Sequence, residues 1–144
     1  MSISDRVAIV GSRQGADLEK VKTFVQNLHA KHPDTLLISG GADGVDKTAE
    51  TTWLGLGGDL WSFRVKATES DSYGLERWEL GLLLSRIIPL PQEPTWADAK
   101  SALWYRNLLI AEACDKLVLF HAPNYWGGGG ACEESARAAG KQTW

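Results

Sequence analysis

Four consecutive glycines, Gly127, Gly128, Gly129 and Gly130, follow the apolar run Leu117-Val118-Leu119-Phe120 and precede a polar, Ala-rich stretch from Ala131 to Ala139. This reads as a strand, a glycine loop and a helix start. Glycine lets backbone N–H groups approach a ligand closely, and the free N–H groups of a helix N-terminus favour an anion. The same order occurs twice more. Leu36-Leu37-Ile38-Ser39 leads into Gly40-Gly41-Ala42-Asp43-Gly44-Val45-Asp46, and Val7-Ala8-Ile9-Val10 leads into Gly11-Ser12-Arg13-Gln14-Gly15. In open α/β sheets such turns gather at the carboxyl ends of the strands, so the three junctions predict one site there. The chemistry they suit is recognition of a phosphate or a sugar.

Side chains around these turns have structural and functional readings side by side. Glu134 falls in the first turn of the last helix, where the dipole alone favours a carboxylate. A preorganised carboxylate there also holds ribose hydroxyls, or stabilises the oxocarbenium-like charge of a breaking N-glycosidic bond. Glu133 points about 100° away on the same helix and reads as a solvent residue. Arg106 lies in an apolar helix beside Asn107. Its stem can cover the core, or its planar guanidinium can contact phosphate and orient a carboxylate. Ser12 and Arg13 stand at the crevice, as phosphate or ribose contacts or as a solvated loop. Asp46 is a helix cap or a ligand contact. Gly40, Gly41 and Gly44 suit close approach, which is compatible with turn geometry alone. Lys47 reads as solvated, and the P-loop pattern is missing. Cys132 near a helix start has only His121 as a nearby base, so packing is its better reading. Tyr125 and Trp126 flank the last glycine loop as a base-stacking surface, a lid or a dimer contact. No His, Cys, Asp or Glu spacing indicates a metal, and no cofactor is called for.

The elements that must position these residues follow from periodicity. Arg6–Val10, Thr35–Ser39, Leu60–Val65 and Lys116–Phe120 read as strands. Asp17–Lys31, capped by Asp17, and Val45–Leu54 read as helices. Ser70–Arg86 carries a helical pattern in Leu75, Trp78, Leu82 and Leu83, broken at Pro89. Thr95 reads as the cap of a long helix to Cys114, and the last helix ends at Gly140. Gln142-Thr143-Trp144 forms a short final strand. This alternation predicts an α/β domain, residues 1–144, with a doubly wound, mostly parallel sheet flanked by helices.

Composition agrees with one globular domain: 144 residues, 44% hydrophobic, 23% charged. A net charge of −3 provides no basic footprint, which argues against nucleic acid as a partner. Two cysteines, no apolar leader and no membrane-length stretch predict a reducing, cytoplasmic location.

Taken together, Gly11-Ser12-Arg13 with Asp17, Ser39-Gly40-Gly41-Ala42-x-Gly44-Val45-Asp46, Arg106-Asn107 ahead of Asp115-x-Leu117-Val118-x-Phe120, and the final glycine loop resemble the SLOG superfamily. That Rossmann-like group includes the LOG phosphoribohydrolases, the DNA-processing protein A family and YspA-type proteins, and the order here looks most like the YspA-type branch. LOG enzymes carry Pro-Gly-Gly-x-Gly-Thr-x-x-Glu and an upstream Arg. By resemblance, Gly127, Gly128 and Gly130 take the glycine places, Glu134 the catalytic Glu and Arg106 the catalytic Arg. Trp126 replaces the Pro, Ala131 replaces the Thr, and Asp43 stands where many relatives have a basic residue. The resemblance also implies a homodimer or higher homo-oligomer through the long helix, here carrying Trp96, Trp104 and Tyr105.

The expectation is therefore an intracellular protein that binds a nucleotide or nucleotide derivative through Gly11, Ser12, Arg13, Gly40, Gly41, Gly44, Asp46 and Gly127 to Gly130. N-glycosidic hydrolysis by Glu134 and Arg106 is its enzymatic form. The rivals are a nucleotide-signal sensor without turnover, a single-stranded DNA binder, and deoxyribosyl transfer.

Overall fold

The computed structural model describes residues 5–68, 72–90, 96–120, 137, 140 and 142–143. The chain runs β1 (Arg6–Gly11), α1 (Leu18–Lys31), β2 (Leu36–Ser39), α2 (Val45–Gly55), β3 (Asp59–Ala67), β4 (Tyr73–Leu80), β5 (Ser85–Pro89), α3 (Ala99–Ala113), β6 (Lys116–Phe120) and β7 (Gln142–Thr143). The strands form one sheet in the order β5-β4-β3-β2-β1-β6-β7. β3, β2, β1, β6 and β7 run parallel, and β4 and β5 add an antiparallel edge.

Alternation along the central strands explains why both faces are covered. Val7, Ile9, Leu37 and Leu60 pack against Val21 and Val25 of α1 and Val45, Ala49 and Trp53 of α2. Ala8, Val10, Ile38 and Phe63 point the other way, onto Ile110, Ala111 and Cys114 at the end of α3. The crossover that follows β5 carries the chain past β1 to β6, so the winding reverses at β1. That is the place where open α/β sheets open a crevice at the strand carboxyl ends.

Helix α1 starts where predicted, since the Asp17 carboxylate accepts from the Glu19 and Lys20 amides. The cap of α3 is Asp98 rather than Thr95, which lies outside the described residues; the Asp98 carboxylate accepts from Ser101 N–H at 2.7 Å.

The helix expected over 70–86 is a β-hairpin. Tyr73–Leu80 pairs residue by residue with β3, from Ala67↔Tyr73 to Leu60↔Leu80. Leu75, Arg77 and Glu79 share one face and Glu76, Trp78 and Leu80 the other, a period of two that the leucine spacing disguised. Leu82 and Leu83, half of that helical pattern, sit at the hairpin tip and are 78% and 101% exposed. They marked a turn closed by Gly81 N–H donating to the Leu84 carbonyl, not a buried stripe. Pro89 stands at the end of an edge strand, where a missing N–H costs no ladder bond.

Candidate functional site

The ends of β1, β6 and α2 are drawn together by a position with no side chain. A Cβ on Gly11 would strike the Phe120 carbonyl and lie 2.8 Å from Val45 Cγ2. Ser12 is buried, and its backbone stitches the junction: its N–H donates to the Phe120 carbonyl and its carbonyl accepts Val45 N–H, each at 3.1 Å. Gly44 has φ +81°, and a Cβ there would lie 2.5 Å from the carbonyls of Ser12 and Arg13. Only glycine adopts that turn without strain. The Arg13 residue is exposed, as are Asp43 and Lys47.

Asp46 is not the helix cap. Gly44 occupies that position and makes no side-chain cap hydrogen bond. Asp46 instead turns inward at 3% exposure, and its Oδ2 accepts from Ala42 N–H at 3.4 Å. Its Oδ1 has no hydrogen bond. Burial, with help from Glu50, pushes the carboxyl up to about 7 from 3.8, against the opposing pull of Arg106 and the Ala42 and Gly11 amides.

Gly40 is the pivot between Asp46 and Arg106. A Cβ at Gly40 would lie 2.9 Å from Arg106 Cζ and 3.0 Å from Asp46 Oδ2. Without it, the guanidinium of α3 and the carboxylate of α2 both reach over the end of β2. Arg106 Nη1 donates to the Gly40 carbonyl and Nη2 to Asn107 Oδ1, both at 3.1 Å. Asn107 is itself buried. This helical face thus sends an arginine, held in place by two acceptors, towards the glycine turn.

A second buried cluster lies next to it. Glu50, one turn beyond Asp46, accepts from Ser62 Oγ at 2.8 Å and from Arg64 Nη2 at 2.7 Å. Arg64 lies over the Trp78 ring at 4.1 Å and would meet a Cβ on Gly41, whose φ is +71°, at 2.6 Å from its Nε. Glu50, Ser62 and Arg64 were missed from the sequence, and Asn107 was noted there only as the neighbour of Arg106. The signal for Glu50 was present: Asp46 and Glu50 sit four apart, beside Val45, Ala49 and Trp53, on the inward side of α2. Arg64 carried no comparable signal, because its partner Trp78 was read as helical.

Of the predicted site residues, the fold brings together Gly11, Ser12, Gly40, Gly41, Gly44, Asp46 and Arg106. Gly127, Gly128, Gly129, Gly130 and Glu134 lie outside the described residues, as do Tyr125, Trp126 and Cys132. The described charges are balanced: Glu50 meets Arg64, and Asp46 stands against Arg106. The arrangement combines a close-approach glycine turn, backbone N–H groups, one oriented cation and one buried carboxyl able to carry a proton near neutrality. Among the described residues there is no group of three or more His, Cys, Asp and Glu able to hold a metal ion. None of the described helices is long and apolar enough to cross a membrane.

No curated protein matches the chain. Among solved structures, DNA processing protein A (DprA) from Streptococcus pneumoniae is similar with a TM-score of 0.68 at 21% identity, over 97% of this chain and 49% of that one. The DNA processing protein A from Helicobacter pylori, described for its single-stranded DNA binding mode, is similar with a TM-score of 0.66 at 16% identity, over 96% of this chain and 63% of that one. The chain therefore spans less than two thirds of either neighbour, and at these identities the likeness is one of fold. Residues 5–53, which hold the first two glycine turns and Asp46, match the family model described as the YspA, cpYpsA-related SLOG family, and the resemblance to the SLOG superfamily seen in the sequence holds.

Proposed function

We propose that this protein binds a nucleotide or nucleotide derivative over the carboxyl ends of β1 and β2. The observation that carries this reading is the meeting of Arg106 and Asp46 across Gly40, beside a turn kept free of side chains at Gly40, Gly41 and Gly44. Backbone N–H groups and an arginine suit phosphate, and a carboxyl suits ribose hydroxyls. Arg13, exposed at the rim, supplies a further cation. In this reading Gly127 to Gly130 add a further glycine loop for ligand binding. Glu134 is the carboxylate for N-glycosidic cleavage, with Arg106 orienting it.

The test is base release. The protein is incubated with nucleosides, nucleoside mono- and diphosphates and ADP-ribose-type compounds, and free base and sugar are quantified by chromatography, with Glu134→Gln as control. Release that depends on Glu134 makes the protein a glycosidase, and base exchange makes it a transferase. A thermal shift without release makes it a sensor. Neither shift nor release refutes the nucleotide reading.

Single-stranded DNA is the second reading, favoured by cation–aromatic pairs of β1, β3 and β4. Arg6 and Arg77 lie 5.2 and 4.2 Å from the Trp61 ring centre, and Arg64 lies over Trp78. The two groups lie on opposite faces of the sheet, and an arginine beside an aromatic ring on either face suits a stacked base and its phosphate. DNA affinity that falls steeply with salt supports this reading, and no binding at low salt refutes it.

A further inference from the structure

We infer that this site takes up a proton together with an anionic ligand and that Asp46 holds it, an inference that rests on the nucleotide-binding reading and adds what governs it. The geometry is specific. Asp46 is 3% exposed, lies one turn from Glu50 and has an Oδ1 with no hydrogen bond. A carboxylate so placed is charged only at the expense of its lost hydration. What offsets that loss is Arg106, whose guanidinium reaches the same space over Gly40. An anionic ligand that engages Arg106 draws on the same positive charge. It also adds negative charge beside a carboxylate that already faces Glu50. Both effects favour the neutral acid, so ligand and proton bind together.

The surrounding groups leave Asp46 as the one that responds. From its own helix, Glu50 is committed to Arg64 and Ser62. From α3 comes Arg106. From β3 comes Arg64, already paired with Glu50 at 2.7 Å. The carboxyl ends of β1 and β2 contribute backbone and the hydroxyls of Ser12 and Ser39 but no titratable side chain. Helix α1 packs on α2 through Val21 and Val25, while its Lys22 lines an outer groove with Lys47 and Thr48. Asp43 and Arg13 are exposed on the turns. Asp46 titrates at about 7, so a shift of its carboxyl near neutrality changes the fraction of a proton that it holds.

The experiment uses ligands whose own charge is constant between pH 6 and 8: ADP-ribose, a diphosphate diester, and inorganic sulfate. Calorimetry in two buffers of different ionisation enthalpy reads the protons taken up, and titrations at pH 6 and 8 read the affinity. A ligand that raises the Asp46 carboxyl by about one to two further units tightens binding about five- to tenfold from pH 8 to pH 6. Uptake peaks at about half to four-fifths of a proton, between about pH 7.5 and 8. Asp46→Asn takes up none and binds equally at both pH values, with a thermal melt showing that it folds. His121→Gln keeps the wild-type behaviour, which separates Asp46 from the histidine that follows Phe120 in the sequence. Wild-type binding without proton uptake overturns the inference and leaves the nucleotide reading intact, as does Asp46→Asn binding that keeps the pH dependence. Failure of ADP-ribose, sulfate and every nucleotide of the panel to bind at any pH overturns both.

Discussion

Gly40 and Gly44 are the positions where a single added methyl group tells the most. At Gly40 the new Cβ meets the movable end of Arg106, so Gly40→Ala displaces the guanidinium rather than unfolding the chain. We expect nucleotide affinity to fall about tenfold, the loss of one charge-assisted hydrogen bond, with little change in melting temperature. At Gly44 the Cβ meets two backbone carbonyls at φ +81°, which cannot move aside. Gly44→Ala should cost about 1–3 kcal/mol, read by denaturant unfolding. Asp46 gives a pH signature. Its folded carboxyl titrates near 7 against 3.8, so the folded state binds the proton more tightly than the unfolded state. Stability from this group is full below about 4 and is lost as pH rises to 7. Asp46→Asn should therefore raise the melting temperature at pH 8 and do so less at pH 5. The glycines at this site were legible because a turn with positive φ admits few other residues. The inward carboxyls were legible only through their spacing, since acidic residues early in a helix usually face water.

At the scale of elements, the parallel core followed from the alternation of apolar runs and amphipathic helices, and α1, α2, α3 and the strands between them lie close to their predicted spans. The β4–β5 hairpin did not, for a physical reason. Its one buried carboxylate, Glu79, pairs with two arginines on neighbouring positions of the hairpin, so its hydrophobic pattern is incomplete. Glu79, 2% exposed, accepts from Arg77 and Arg86, each Nε at 2.7 Å. Burial alone would raise its carboxyl, yet the hydrogen bonds from Arg86 and Arg77 outweigh this and hold it below the usual range. A lowered carboxyl contributes stability above its unfolded pKa, and that stability is lost as pH falls through the folded value. Glu79→Gln should destabilise the protein by about 1–3 kcal/mol at pH 7. The difference from wild type should shrink in acid, measured by urea unfolding at pH 7 and pH 3.

For the whole molecule, the hairpin tip offers a contrast. Leu83 is fully exposed, so Leu83→Lys should leave stability unchanged to within about 0.5 kcal/mol, checked by thermal melting. A larger loss would mean that the tip is covered in solution. The sheet separates two cores that share no side chains: α1 and α2 on one side, α3 on the other. Over Gly40 a side chain from each layer reaches past the rim of the sheet to a common point. A ligand seated there acts as a rivet through two plates. It fastens the two layers to each other, and amide exchange in α2 and α3 would slow in step on binding although each helix packs on its own face of the sheet.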